Sequence, residues 1–209
     1  MTETNDSPFE RVLNDATQWA TAKSKFDPAF RVGSQIYGAI NLMYQAHGAQ
    51  TRKFSGVPYT THPFEVARLT NEHFSRVCEG EKDDAICAAL LHDTLEDTKI
   101  SESEIRSECG VRVLRLVREL TNPSKGVKAN REVRKKMDRE HLKTVSRTAK
   151  MIKIIDRTVN LRDMVGADSG FRKLYAAESF ALWNECLRDI DHTLERDLLE
   201  QIWLCGDVI

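Results

Sequence analysis

Ala85-Ile86-Cys87-Ala88-Ala89-Leu90-Leu91-His92-Asp93-Thr94-Leu95-Glu96-Asp97-Thr98 is the most informative stretch of the chain. Its first seven residues are apolar and read as a buried helix. That helix delivers an imidazole and a carboxylate at its far end. Such groups are costly in a core unless something pairs them, and a divalent cation would do so. With the helix spanning Asp83–Asp97, Glu96 falls four residues after His92 and Asp97 four after Asp93, so each pair shares a face. Three carboxylates and one imidazole then gather within about one and a half turns. This is a poor core and a good hydrolytic metal site.

A His-Asp pair alone occurs by chance, and the rest of a ligand set must come from elsewhere. Arg52-Lys53-Phe54-Ser55-Gly56-Val57-Pro58-Tyr59-Thr60-Thr61-His62-Pro63 places a histidine after a Gly/Pro turn, with a helix start at Pro63. Lys153-Ile154-Ile155-Asp156-Arg157-Thr158-Val159-Asn160-Leu161-Arg162 sets Asp156 and Asn160 four apart on one helical face. Taken singly, each has a bland reading: a turn histidine, a solvated helix end, a structural ion pair, a surface amide. Their joint occurrence, in order, is what gives them weight.

Composition sets the frame. A length of 209 residues suits one domain with a proper core. Hydrophobic residues at 41% and charged residues at 30% are ordinary for a globular protein. A net charge of −1 gives no global basic field, so no direct nucleic-acid binding is expected. No apolar run approaches the roughly 20 residues of a membrane helix. The polar, acidic N-terminus is unlike a secretion signal. Five scattered cysteines without a Cys-x-x-Cys read as core fillers in a reducing cytoplasm.

The periodicity is helical almost throughout, with no alternating strand and no hairpin signal. Phe9, Leu13, Ala16 and Ala20 mark an N-terminal helix, broken at Phe26-Asp27-Pro28. Further helices are expected over Ile36–His47, Pro63–Val77, Asp83–Asp97, a short one opened by a Ser101/Glu104 capping box, then Val111–Leu120, Arg131–Arg147, Ala149–Val165 and Phe171–Leu204. The expected architecture is an all-α, irregular bundle.

The order His62 … His92-Asp93 … Asp156 resembles the HD superfamily of metal-dependent phosphohydrolases. The fuller pattern, Arg-Lys-x-Ser-Gly-x-Pro-Tyr-x-x-His-Pro, His-Asp-Thr-x-Glu-Asp-Thr and Asp-Arg-x-x-Asn-Leu-Arg-Asp, is similar to the hydrolase domain of the Rel/SpoT family. The short length is closest in kind to stand-alone alarmone hydrolases. The likeness covers roughly residues 33–195 and implies an HD-domain helical bundle over 31–209, with residues 1–30 as a helical extension. Packing of that extension on the bundle, or self-association through Phe9, Leu13 and Trp19, are both open.

The ligand types carry the chemistry. Neutral imidazoles of His62 and His92 with carboxylates of Asp93 and Asp156 balance a 2+ ion and leave room for water and substrate. This N/O set suits Mn²⁺ or Fe²⁺ and admits Zn²⁺; the resemblance favours Mn²⁺. It implies that Glu96 and Asp97 are the acid/base pair, and neighbouring carboxylates are expected to raise one another's pKa. It also implies that Asn160 binds substrate. Arg52 and Lys53 are close enough to His62 to meet a phosphate. Between Lys125 and Arg157 stand twelve basic residues against four acidic ones, either a solvated face or a grip on pyrophosphate, with Lys128 and Arg131 as candidates there. Tyr175 or Phe180 is a candidate for stacking on a base.

The activity implied is removal of the 3′-pyrophosphate from guanosine penta- or tetraphosphate. Alternatives in the same family of resemblances are another phosphorylated nucleotide, such as the 2′-phosphate of NADPH, or an antitoxin role against a synthetase toxin, catalytic or by contact. His47 closes a helix near the Arg52-Lys53 turn, where lining the pocket is open to it but no role is assigned, and His73, His141 and His192 are expected at the surface or partly buried.

Overall fold

The computed structural model describes residues 35–74 and 81–206; the expected extension over residues 1–30 lies outside them. Among the described residues the chain is helical, and the sole β pairing is an isolated antiparallel bridge between Thr51 and Pro58. None of these helices is long and apolar enough to cross a membrane. The helices are α1 (Gln35–His47), α2 (Thr61–Phe74), α3 (Lys82–Leu91), α4 (Thr94–Asp97), α5 (Glu102–Leu120), α6 (Arg131–Thr144), α7 (Arg147–Arg162), α8 (Ser169–Leu182) and α9 (His192–Gly206).

Two of them form the centre. Every residue of α3 from Asp84 to Leu91 is buried, as an all-round apolar sequence requires. It packs against α1, α2, α5 and α7. In α7, Met151 to Asp156 is buried without interruption, and this helix meets α2, α3, α5, α8 and α9. The ends and inner faces of these two helices carry the candidate ligands. Outer helices show one-sided burial: Ile36, Ala39, Leu42 and Met43 form the inner stripe of α1.

Caps define the starts. Ser101 and the Glu104 side chain form the expected capping box on α5. Asn130, Ser146 and Asp168 accept from backbone amides at the starts of α6, α7 and α8. These explain two of the shifted boundaries. The helix expected over Arg131–Arg147 stops at Thr144 because Val145 is extended and Ser146 caps the next one. The helix expected over Ala149–Val165 therefore begins at Arg147, and its end tightens into a 3₁₀ turn over Asp163–Gly166.

Three expectations change more. The Asp83–Asp97 helix breaks at His92-Asp93, where Asp93 leaves helical backbone (φ −115°, ψ 1°) and a separate turn, α4, follows. The two segments expected on either side of Gly110 form one rod, kinked at Gly110 (φ 85°, ψ 172°). The long Phe171–Leu204 helix is two helices. α8 runs into a π-turn over Trp183–Leu187, and Asp189 turns left-handed (φ 63°) before α9. The cause is Glu195. Its buried carboxylate accepts from the amides of Asp189 (3.2 Å), Ile190 (2.8 Å) and Asp191 (2.9 Å) and from Trp183 Nε1 (2.9 Å). One side chain satisfies the amides that the corner frees.

Candidate metal centre

Four side chains from three segments meet at one buried point. His62 enters from the first turn of α2, just after the Thr51–Pro58 loop. That loop is closed by Arg52 N to Val57 O (2.8 Å) and Tyr59 N to Gln50 O (2.9 Å), and Gly56 (φ 70°) supplies its left-handed turn. His92 and Asp93 come from the end of α3, and Asp156 from the middle of α7. His62 Nε2 lies 3.2 Å from His92 Nε2 and 3.2 Å from Asp156 Oδ1, while His92 Nε2 lies 3.5 Å from Asp156 Oδ1. Asp93 Oδ2 is 3.7 Å from His92 Nε2.

These atoms fit a divalent cation. Ligands about 2.1 Å from an ion sit about 3 Å from one another, close to the separations found here. Donor atoms of His62, His92 and Asp93 all lie within 4.8 Å of one another. His92 Nδ1 donates to the Ala89 carbonyl at 2.8 Å, which turns Nε2 toward the cluster. Burial pushes the His62 imidazole below its ordinary pKa, so it is neutral, as a ligand must be. Burial also opposes protonation of His92, but Asp93 and Asp156 outweigh it and hold that imidazole up at about 9. Both carboxyls are held below the aspartate range despite burial, Asp93 chiefly by His92 and His47, Asp156 chiefly by Lys153, His62 and His92. The cluster thus favours a positive charge at its centre.

A second layer orients the carboxylates. Tyr59 donates its hydroxyl to Asp93 Oδ2. Fully buried His47 places Nε2 3.1 Å from Asp93 Oδ1, and its Nδ1 faces Gln50 Oε1 at 3.0 Å. Asp156 receives Asn160 Nδ2 at 2.6 Å on Oδ1 and Lys153 Nζ at 3.1 Å on Oδ2. Arg52, itself buried, donates to Asn160 Oδ1 at 3.2 Å and to Asp163, and lies 5.6 Å from the Tyr59 ring centre. Arg52 and Asn160 are therefore joined to the cluster and to each other. Of these helpers, Lys153 and Tyr59 were not singled out from sequence. Their signals were present: Lys153 stands one turn before Asp156, and Tyr59 lies inside the Pro-Tyr-x-x-His motif.

Glu96 and Asp97 do not join the four ligands as a continuous helix would require. The break at His92-Asp93 turns them toward the α5–α6 loop. Glu96 accepts from Asn122 N at 2.6 Å and from Asn122 Nδ2 at 3.1 Å. Asp97 takes Lys125. The Glu96 carboxyl is raised, as expected, but by burial first; Asp97 is a minor contributor and Lys153 opposes. The pair is half-buried and exposed respectively, at the edge of the buried cluster.

The basic candidates separate. The ammonium of Lys53 lies 5.2 Å from the Phe54 ring centre and 5.4 Å from that of Phe171. Lys128 is exposed on the α5–α6 loop. Arg131 grips Glu178 of α8 with a two-pronged contact (2.5 and 3.0 Å) and so is committed to a helix–helix tie. The Tyr175 ring is covered by the Arg157 guanidinium at 4.8 Å, with Asp156 and Lys153 among the charges that act on its hydroxyl, and Phe180 lines an α8–α9 groove with Trp203. His73 pairs with Asp191, His141 with the Glu119 carbonyl, and His192 is exposed, in line with expectation.

A helical bundle that brings two histidines and two aspartates from three segments to one buried point defines an HD-type centre. The HD domain family matches residues 39–186, and the chain belongs to it. It is 38% identical over 128 residues to the guanosine-3′,5′-bis(diphosphate) 3′-pyrophosphohydrolase MESH1 of Danio rerio, covering 60% of this chain and 66% of that protein. The Homo sapiens protein of the same name is 37% identical over 134 residues, covering 63% and 70%. The chain thus aligns with about two thirds of the length of these relatives. A solved structure of a metazoan ortholog of SpoT, described as hydrolysing ppGpp, superposes with a TM-score of 0.71 at 26% identity, over 84% of this chain and 97% of that one.

Proposed function

We propose that this chain is a divalent-metal-dependent hydrolase that removes the 3′-pyrophosphate from guanosine tetra- and pentaphosphate. The observation that carries the reading is the buried meeting of His62, His92, Asp93 and Asp156 beside the Glu96-Asp97 turn. The names of the relatives supply the substrate class.

In this reading His62, His92, Asp93 and Asp156 hold the cation. A mixed N/O donor set favours Mn²⁺, with Fe²⁺ and Zn²⁺ as the alternatives. When bound, such an ion lowers the pKa of a water and polarises a phosphoryl oxygen. Glu96, half-buried with its carboxyl raised, takes the proton of the attacking water, and Asp97 orients that water from the adjacent position. Arg52 and Asn160, already linked to Asp156, meet the ribose-phosphate side of the substrate. Lys53 and the exposed Lys128 add positive charge at the rim. Arg131 is set aside because Glu178 occupies it. The described cysteines, Cys87, Cys109, Cys186 and Cys205, are buried in the core, which suits their reading as core fillers in a reducing cytoplasm.

The test is release of GDP and pyrophosphate from guanosine tetraphosphate by the purified protein with Mn²⁺, beside a chelated control and an NADPH arm. Metal-dependent GDP and pyrophosphate support the reading. Phosphate from NADPH alone keeps the centre and changes the substrate. No turnover of either, with metal bound, overturns the alarmone reading and moves the assignment to another phosphorylated nucleotide or to a role by contact.

A further inference from the structure

The last two helices leave an apolar groove open on the surface. Ala177 and Phe180 of α8 and Leu199, Ile202 and Trp203 of α9 line it. Phe180 is 48% exposed and Trp203 59%. Two large aromatic side chains open to water in one groove mark a contact surface, unlike apolar residues scattered singly. Among the described residues, no other helix borders the groove, and Lys173 is the one charged residue on its wall.

The sequence holds a segment that matches this groove and lies outside the described residues. Phe9, Val12, Leu13, Ala16 and Ala20 recur at helix spacing, and Gln18 falls on the opposite side. Ser7-Pro8-Phe9-Glu10 is a helix-start pattern, a capping box with proline at the first position. Residues 1–20 carry four acidic side chains, Glu3, Asp6, Glu10 and Asp15, against one basic, Arg11. That sign is opposite to Lys173. The segment is also an addition to the shared fold. The family match begins at residue 39, and the superposed SpoT ortholog uses 97% of its own chain while leaving about a sixth of this one without a counterpart. Residues 1–34, which precede α1, are the same share of the 209.

The connection is long enough. Residues 21–34 number 14, and extended they span about 46 Å at about 3.3 Å each. A compact domain of about 175 residues is about 40 Å across, so a helix ending at residue 20 reaches any face from the start of α1. The groove suits one short helix better than a second copy of the chain. Eight residues line it, against about 20–30 on each side of a standard protein–protein interface. A tethered segment also meets the groove at an effective concentration on the order of millimolar.

We propose that residues 7–20 form an amphipathic helix that docks in the α8–α9 groove of the same chain, its apolar face against Phe180, Leu199 and Trp203. Docked, it covers the two aromatics and keeps copies of the chain from joining through them. The docking does not depend on the reaction assigned to the metal centre.

The test places the photo-cross-linking residue p-benzoyl-phenylalanine at Leu13 of the full chain or, on the opposite face, at Gln18. After irradiation, products are separated by mass and the linked peptides identified. Leu13 is expected to give a link within one chain to α8 or α9, and Gln18 to lose it. Ala177→Glu, at an exposed position on the groove wall, adds bulk and negative charge and is expected to abolish the Leu13 link. Trp203→Glu does the same from the α9 wall and carries the test if Ala177→Glu does not fold by thermal melt. No link from Leu13, a link to other helices, equal yields from Leu13 and Gln18, or a link that survives in both folded groove variants overturns the proposal. A link between two chains names a second copy as the occupant and overturns it as well.

Discussion

Replacing Glu96 with Gln isolates the proton-transfer step from everything else the centre does. The side chain keeps its size, and its remaining oxygen still accepts from Asn122 N, now at 2.6 Å. The new amide group faces Asn122 Nδ2, now at 3.1 Å, and that bond is lost. One hydrogen bond is worth about 1 kcal/mol net, and the substitution also relieves the burial of an ionised carboxylate, so stability should move by no more than about 1 kcal/mol. For a chain of this size that is a shift of about 2–4 °C in the melting midpoint. None of the four candidate ligands is touched, so metal content should be unchanged. Activity should fall by about 10²–10⁴, or about 3–5 kcal/mol of transition-state stabilisation. The pH dependence carries a second signature. Glu96 acts as a base only when ionised and its carboxyl is raised by burial, so the acid limb of the wild-type kcat/KM profile should lie above the ordinary glutamate value. For stability, the folded chain binds this proton more tightly than the unfolded chain, so ionising Glu96 costs stability as pH rises through that window, and Glu96→Gln removes the slope. The assay is pyrophosphate release at saturating substrate, with metal content and a melt on the same samples. Full metal loading with turnover within about threefold of wild type would refute the role of Glu96.

Tyr59→Phe removes the hydroxyl that Asp93 accepts, and should weaken metal affinity by about 10–100-fold while leaving turnover at saturating metal close to normal, measured by competition with a chelating dye. Gly110→Ala meets no atom within 4 Å but forces a residue with a Cβ to φ 85°, so it should cost about 1–3 kcal/mol in denaturant melts without altering kcat. Arg52→Ala cuts the link to both Asn160 and Asp163, so it should raise KM at least tenfold and also lower the melting midpoint; a change in KM with no change in the melt would mean that the Asp163 contact is immaterial.

The fold was legible wherever one helix face or one cap decided the outcome. The apolar run before His92 does become a core helix, and Ser101 with Glu104 does start α5. The breaks were not legible, because each is set by partners distant in sequence or by backbone geometry. Nothing local announces the corner between α8 and α9: the apolar rhythm continues through it, and only the Glu195 carboxylate, seated under four donors, ends the helix. The same holds at His92-Asp93, where Glu96 finds Asn122 across the bundle rather than continuing the turn. The four ligand candidates were readable because their side-chain types have few other reasons to be buried. Arg131 was not, because a basic residue in a basic stretch looks alike whether it meets a phosphate or, as here, Glu178.

The break at His92-Asp93 divides the centre mechanically. The four ligand candidates hang from segments anchored in the core, whereas Glu96 and Asp97 sit on a single turn tied to the rest of the fold by Asn122 and Lys125. Those two anchors belong to the surface connection between α5 and α6, the kind of segment that tolerates changes in length and composition. Edits there reach Glu96 and Asp97, the proposed proton-handling pair, without disturbing the helices that carry the candidate ligands. If the proposed roles hold, rewriting this one connection shifts the rate while the candidate ligands and the core stay fixed, which makes residues 121–130 the natural target for redesign.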